Sequence, residues 1–135
     1  MPAIMADHDI EGQMQALLRL LMSREWGALW KELSIPVESF ASLGLPPDIS
    51  DVALWQFCQA QQIILLTGNR NHEGPESLEA IIRTATTPES LPVLTISDSQ
   101  RILNSSAYAY QVVERLMEYL IDLDNLRGTQ RLYLP

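Results

Sequence analysis

The segment from Ile63 to Thr67 limits the fold more than any other, because it is a short run that is apolar on both faces. Such a strand is typical of the centre of a parallel sheet that is covered by helices on both sides. Parallel strands need long crossover connections, so strands and helices have to alternate along the chain. The surrounding sequence, QIILLTGNRNHEG, also ends its apolar run abruptly in amides, an arginine and a histidine.

The rest of the chain has this alternation. Apolar runs predict strands at Ala3–Ala6, around Pro36 as an edge strand, at 92–96, and in the tail RGTQRLYLP. Amphipathic spacing predicts helices at 50–61, 77–84, 98–103 and 106–123, and one long helix or two collinear ones from Glu11 past a weak point at Gly27. We therefore expect a single α/β domain over residues 1–135, with a C-terminal helix and tail from about residue 106.

Composition narrows the class of protein. A chain of 135 residues with 47% hydrophobic content can build one core without disulfides or structural metals. The single cysteine, Cys58, lies in an apolar helical pattern and is predicted to be buried. The sequence has no signal-peptide pattern and no apolar run of membrane-spanning length, so we expect a cytoplasmic protein.

The net charge of −8 disfavours nonspecific binding to a phosphate polymer. All basic residues except Lys31 are arginines, and a guanidinium can still hold a phosphate bidentately where the geometry permits. Any binding of nucleic acid would therefore depend on a local site and not on the overall charge of the protein.

Polar side chains follow three of the predicted strands, where the carboxyl ends of a parallel sheet meet. They are Asp7, His8 and Asp9 after the first strand, Asn69, Arg70, Asn71, His72 and Glu73 after the central one, and Ser97 and Asp98 after the next. Carboxylate and amide oxygens are the ligands that Mg²⁺ prefers, and two carboxylates would support metal-assisted phosphodiester hydrolysis.

Ordinary structural roles remain open for the same residues. Asp9 is a candidate cap for the helix that starts near Glu11, Asp98 is a candidate cap for the next short helix, and loop histidines usually face solvent. Asp51 is an acid in the first turn of a helix, where the helix dipole favours it. From connectivity alone, we expect the start of that helix at the opposite edge of the sheet from the strand-end residues.

Three stretches carry a resemblance to a known family: IMADHD, SFASLGLPPDISDVALWQFCQAQQ and IILLTGNRN. Together they resemble the PIN-like superfamily, in particular its small stand-alone branch known as domain of unknown function 5615. The resemblance spans roughly residues 3 to 100. It implies a three-layer α/β fold with a central, mostly parallel sheet and a nuclease that depends on Mg²⁺ or Mn²⁺. It also implies activity on RNA, in some members as the toxin of a toxin–antitoxin pair.

The resemblance assigns site residues one by one. Asp7 matches the first acid of the family, and Asp51 matches the acid of a Ser-Asp helix start that the fold brings to the same cluster. The two aspartates of the family's strand-end motif fall on Asn69 and Asn71, and His72 stands where an aromatic residue is expected. These amides keep oxygen donors but remove two negative charges from the site, on which Mg²⁺ affinity depends.

Two functional hypotheses follow. In the first, Asp7, Asp9, Asp51 and Asn69 hold the metal of a ribonuclease, Asn71 orients the shell and Arg70 contacts the scissile phosphate of single-stranded RNA. In the second, the protein is an inactive PIN-like module that binds a ligand or partner in an amide-lined crevice. An antitoxin is a further expected partner, and the apolar tail Leu132–Leu134 favours a homodimer.

Overall fold

The computed structural model describes residues 2–68 and 77–135. Within them, five strands form one sheet in the order β2-β1-β3-β4-β5, and every pairing is parallel. The strands are β1 (Ala3–Ala6), β2 (Val37–Glu38), β3 (Ile63–Gly68), β4 (Val93–Ile96) and β5 (Arg131–Leu134).

Helices cover both faces of this sheet, so the α/β class with three layers is confirmed. They are α1 (Glu11–Leu21), α2 (Gly27–Leu33), α3 (Phe40–Leu43), α4 (Asp51–Gln61), α5 (Leu78–Ala85), α6 (Ser99–Asn104), α7 (Ser106–Ile121) and α8 (Leu123–Leu126). A short 3₁₀ turn, His8–Ile10, connects β1 to α1. In the described ranges, no helix combines the length and apolar character that a membrane crossing requires.

The strand positions follow from residue chemistry. All six residues of β3 are buried, as predicted for the central strand. The strand β2 lies at one edge, directly after Pro36, whose carbonyl accepts a hydrogen bond from the Ile4 backbone N–H at 2.9 Å. Proline has no N–H to donate, so the edge is where a strand next to it is tolerated.

The two faces of the sheet carry separate cores, because successive side chains of a strand point to opposite sides. Ile4, Ala6, Leu66 and Ile96 face the layer of α1, α6, α7 and α8. The alternate positions, which include Met5, Leu65 and Val93, face α3, α4 and α5. We call the second side the α4/α5 face. The edge formed by the C-terminal ends of the strands is called the carboxyl edge.

Several predicted boundaries differ from the structure for local reasons. The chain leaves the helix at Met22 and turns before α2 begins at Gly27, and the apolar spacing continues through this turn because Trp26 packs on the same core as α1. Phe40 starts a helix instead of ending a strand, because Ser39 caps that helix and forms a capping box.

In α7, Tyr108 is buried, whereas Tyr110 is only partly buried and donates a hydrogen bond to Glu25. The predicted terminal strand is confirmed as β5, where Leu134 is fully buried and Tyr133 is half exposed. Part of the apolar tail is therefore buried in the sheet, and this leaves less exposed apolar surface for the homodimer predicted from the sequence.

Candidate metal and substrate site at the carboxyl edge

One row of polar side chains runs across the α4/α5 face near the carboxyl edge. Asp7 follows β1 directly, and its backbone N–H bonds to the Leu66 carbonyl at 2.8 Å, which continues the pairing of β1 with β3. The next position of β3 is Thr67, which is in register with Thr95 of β4. Arg131 of β5 completes the set with its side chain. We call these four residues, Asp7, Thr67, Thr95 and Arg131, the polar row.

Asp7 is a carboxylate held inside the protein, with only 7% of its surface exposed. Its Oδ1 accepts a hydrogen bond of 2.7 Å from the His8 backbone N–H, so Asp7 caps the 3₁₀ turn. Burial raises the pKa of the Cys58 thiol on α4 to about 12, and the charge of Asp7 is a second cause of that increase. The Asp7 carboxylate therefore acts electrostatically on α4.

Asp51 lies at the same edge, and the expectation that its helix starts at the opposite edge is wrong. Its Oδ2 accepts a hydrogen bond of 3.2 Å from the backbone N–H of Leu78, the first residue of α5. The far end of α4 is fixed at the other edge, where the Gln59 amide bonds to the backbone of Leu91 just before β4. A helix that leads into a parallel strand runs antiparallel to it, so its N-terminus lies near the carboxyl ends.

The N-termini of α4 and α5 thus lie together. Ser50 and Ser77 cap the two helices, each accepting a hydrogen bond of 3.1 Å from a first-turn backbone N–H. The positive end of each helix dipole is directed to this region and favours negative charge there. Asp51 is half-buried between the two helix starts.

Two threonine hydroxyls occupy the centre of the polar row. The Oγ1 atoms of Thr67 and Thr95 are 3.1 Å apart, and both residues are fully buried. A shared hydrogen bond satisfies hydroxyls that would be costly to bury alone. They lie on the paired strands β3 and β4, between Asp7 and Arg131.

Arg131 places a buried positive charge at the other end of the row. Its Nη1 donates to Thr95 Oγ1, and its Nε lies 3.1 Å from Oε2 of Glu79 in the first turn of α5. Only 7% of the side chain is exposed, and its Nη2 has no hydrogen-bond partner among the residues that the structure describes. A buried cation needs such partners, because desolvation without them costs several kcal/mol.

Asp9 and Asp98, two further strand-end acids, are exposed. Asp9 lies within the 3₁₀ turn, and the prediction that it caps α1 is wrong, because the N-cap residue is Ile10 and has no side-chain cap bond. Asp98 caps α6, as predicted, by accepting from the Arg101 backbone N–H at 3.3 Å. His8 is half exposed, with its Nδ1 at 2.9 Å from Glu11 Oε1 and its ring against Phe40.

The remaining predicted residues lie outside the described ranges 2–68 and 77–135. They are Asn69, Arg70, Asn71, His72 and Glu73. The last described residue before them is Gly68, at the carboxyl end of the central strand. A β-carbon at Gly68 would lie 3.2 Å from the side chain of Ile10, so the small residue suits the close approach of the turn after β1.

The chemistry of Asp7 and Asp51 fits one hard divalent cation. Mg²⁺ keeps several waters and is commonly bound by one or two carboxylates together with a substrate phosphate. Both carboxylates lie at the carboxyl edge, and Asp7 is buried enough to be pre-ordered. Over residues 2–68 and 77–135, no group of three His, Cys, Asp or Glu side chains forms a fuller metal cage.

Sequence reasoning missed Thr67, Thr95, Arg131 and Glu79. One signal was available, since each buried strand, IILLTG and VLTI, has its threonine next to the last position. No local signal joins Arg131 to Glu79, because the two residues are 52 positions apart and meet only when α5 and β5 pack together.

A scan of the chain against protein-family models finds no match, and comparisons with curated proteins and with solved structures find none either.

Proposed function

We propose that the protein is a PIN-like, metal-dependent ribonuclease that acts on single-stranded RNA in the cytoplasm. The observation that carries the proposal is the position of two carboxylates at the carboxyl edge of a parallel sheet: buried Asp7 directly after β1, and Asp51 at the N-terminus of α4. Ligand sites of open α/β folds gather at this edge. The resemblance of IMADHD and of the Ser-Asp helix start to the PIN-like superfamily is the second support.

In this proposal, Asp7 and Asp51 hold Mg²⁺ or Mn²⁺, and Asn69 completes the ligand set. A bound divalent ion supplies Lewis-acid chemistry and a more acidic water for phosphodiester hydrolysis. Asn71 orients the ligands, and Arg70 contacts the scissile phosphate. Exposed Asp9, within the 3₁₀ turn, serves as an outer ligand through water.

The protein's own architecture prepares the site for this task. The bond from the His8 backbone N–H holds the Asp7 carboxylate in one orientation, and the Leu78 N–H does the same for Asp51. A divalent cation needs carboxylate ligands, and the positive helix ends favour negative charge beside Asp51. The hydroxyls of Thr67 and Thr95, in the same polar row as Asp7, are hydrogen-bonded to each other.

The test is cleavage of an unstructured, end-labelled RNA by purified protein with Mg²⁺, with Mn²⁺ and with EDTA. Asp7→Asn should reduce the metal-dependent rate at least a hundredfold, because it removes a ligand charge without changing size. Asp122→Asn is the matched control: it makes the same chemical change at an exposed residue at the end of α7 and should leave the rate unchanged. Cleavage that persists in Asp7→Asn would identify a contaminating nuclease and refute the proposal.

A second candidate is an inactive PIN-like module that binds a ligand or partner at the same edge. It is favoured by the small number of acids gathered there in the described part of the chain. This candidate predicts no thermal shift with Mg²⁺ or Mn²⁺, and a metal-dependent stabilisation of about 1 kcal/mol or more counts against it.

A toxin role, with an antitoxin as partner, is a narrower form of the first proposal. Induced expression should then arrest growth, and Asp7→Asn should abolish the arrest at equal protein level. A homodimer is tested separately by light scattering, with a mass of about twice 15.2 kDa as the expected result.

A further inference from the structure

A groove of about 550 Å³ lies at the junction of α1 and α2, distinct from the polar row. We call it the Met22 groove. Met22 is 66% exposed there, and Trp30 contributes a partly buried ring. Gly27 and Ala28 add little bulk between them, so the groove has room for a large apolar side chain. The lining residues are Met22, Ser23, Arg24, Gly27, Ala28, Trp30 and Lys31.

The charged residues that line this groove are both basic, Arg24 and Lys31. Arg19, in the last turn of α1, adds a third exposed cation nearby. None of the three has an ion pair or a side-chain hydrogen bond within residues 2–68 and 77–135. These cations stand out on a protein whose net charge is −8.

Cations elsewhere in the described structure are all engaged. Arg83, Arg115, Arg127 and Arg131 each lie within ion-pair distance of a carboxylate, and Arg101 lies over the ring of Tyr108. The contrast is therefore specific to the α1–α2 junction. Unpaired cations around an exposed apolar side chain are the features of a surface that binds an acidic partner with an apolar anchor.

Two acids are sequence neighbours of these cations, Glu25 after Arg24 and exposed Glu32 after Lys31, and neither lines the groove. Glu25 accepts a hydrogen bond of 2.5 Å from the Tyr110 hydroxyl on α7. The ring of Trp26 lies 6.0 Å from that of Tyr110, which anchors the same turn. The groove is thus attached to the core, and the charged side chains that line it are basic.

We propose that the Met22 groove binds an acidic peptide segment of a partner protein that inserts a large apolar side chain. The apolar anchor contacts Met22 and Trp30, and its flanking carboxylates pair with Arg24 and Lys31. Peptide is favoured over RNA because the exposed Met22 side chain can bury an apolar anchor, whereas it offers no hydrogen bond to a phosphate. This binding is separate from the proposed nuclease site.

The test uses the full chain and a short fluorescein-labelled helical peptide with leucines at i and i+4 among glutamates. Two control peptides replace either the leucines by serine or the glutamates by glutamine. Fluorescence anisotropy measures Kd, and ¹³C-methyl spectra of the methionines report which methyl group is contacted. We expect binding of the first peptide alone, with the Met22 methyl resonance shifted.

The double variant Arg24→Glu/Lys31→Glu should weaken this binding at least tenfold. Its matched control, Arg83→Glu/Arg115→Glu, makes the same change in net charge at two exposed residues outside the groove and should alter Kd less than twofold. Equal weakening by both variants would show nonspecific charge attraction and overturn the proposal. A Met22 methyl that does not shift would also overturn it.

Two further outcomes would assign the groove to another occupant and so reject the peptide. Single-stranded RNA that competes for the Met22 groove would make it a nucleic-acid surface. A dimer that the wild type forms and the groove variant loses would make the occupant a second copy. RNA cleavage by the groove variant reports on the nuclease proposal independently.

Discussion

Replacement of Arg131 by leucine tests whether the polar row stabilises the carboxyl edge. The substitution keeps much of the apolar bulk of the buried side chain but removes the guanidinium. It leaves Glu79 Oε2 without the Nε at 3.1 Å and leaves the Thr95 hydroxyl without the Nη1 donor. We expect a clear loss of folding stability, because both partners lose a charged donor in a site with little water.

The size of the loss follows from the burial of each partner. A hydrogen bond to a charged group contributes about 1.5–3 kcal/mol net, and breaking a fully buried ion pair costs about 3–5 kcal/mol. Glu79 is 29% exposed, so water partly replaces the lost cation. The unpartnered Nη2 of Arg131 also means that the wild-type pair starts with an unsatisfied donor. We therefore expect a decrease of about 2–3 kcal/mol in the free energy of unfolding.

Arg83→Leu provides a matched control, since Arg83 is paired with the same Glu79. That pair has an N–O distance of 3.8 Å, and the Arg83 side chain is 72% exposed. Exposed pairs of this kind contribute at most about 1 kcal/mol and often nothing measurable. Urea unfolding followed by circular dichroism at constant pH gives both free energies, provided that the slopes with urea agree.

The reasoning is refuted if the two leucine variants lose the same stability, or if Arg131→Leu loses less than about 1 kcal/mol. A double-mutant cycle with Glu79→Leu isolates the pair, and its coupling energy should be about 1–2 kcal/mol for Arg131 and near zero for Arg83. Equal coupling energies for both arginines would mean that replacing Glu79 changes the stability through helix α5 and not through the loss of its ion pair with Arg131.

Two further predictions concern pH and backbone geometry. Burial first, and the Asp7 charge second, raise the pKa of Cys58 to about 12. From about pH 9 upward the unfolded thiol ionises while the native one stays protonated, so stability should fall by about 1.4 kcal/mol per pH unit until about pH 12. Cys58→Ala should remove that slope, measured by urea unfolding across pH 8–11, and an unchanged slope would contradict the assignment. Gly128→Ala should destabilise the protein by about 1–3 kcal/mol, because φ is +85° and the new β-carbon would lie 3.1 Å from the Pro88 backbone. Gly12→Ala is its control, because a β-carbon at this position of α1 would meet no atom within 4 Å outside its own stretch of helix. We expect it to raise the free energy of unfolding by up to about 1 kcal/mol, measured for both variants by thermal unfolding.

Helices α4 and α5 illustrate what can be predicted from sequence. Ser50 is recognisable from the sequence as an N-cap and caps α4 in the structure, and Ser77, the first residue of the predicted helix 77–84, caps α5. Caps and amphipathic spacing are local, so a window of about a dozen residues contains the whole signal. The break between α1 and α2 was misplaced for a related reason. Trp26 keeps the helical spacing of apolar residues although its backbone is in a turn.

The candidate site was only partly predictable. The strand-end rule identified Asp7 from its position after an apolar run, and its burial agrees with a role beyond a solvated loop. Asp51 was predicted to be a site residue from the resemblance to the PIN-like superfamily. The expectation from connectivity alone had placed it at the wrong edge of the sheet. The bond from the Leu78 N–H to its carboxylate depends on how α4 and α5 lie side by side, which no local pattern encodes.

The class of fold, the central position of β3 and the acid that follows β1 could therefore be predicted, because each depends on residues close together in the chain. Tertiary packing was needed to bring the side chains of Thr67, Thr95 and Arg131 into one row with Asp7 and to pair Glu79 with Arg131. The register of the parallel pairs aligns Thr67 with Thr95 and continues to Asp7. Arg131 is in register with Val93 and reaches Thr95 only with its side chain, which the packing of α5 on the sheet holds through Glu79. Register and packing arise from many long-range contacts acting together, so they are properties of the folded chain and not of any segment.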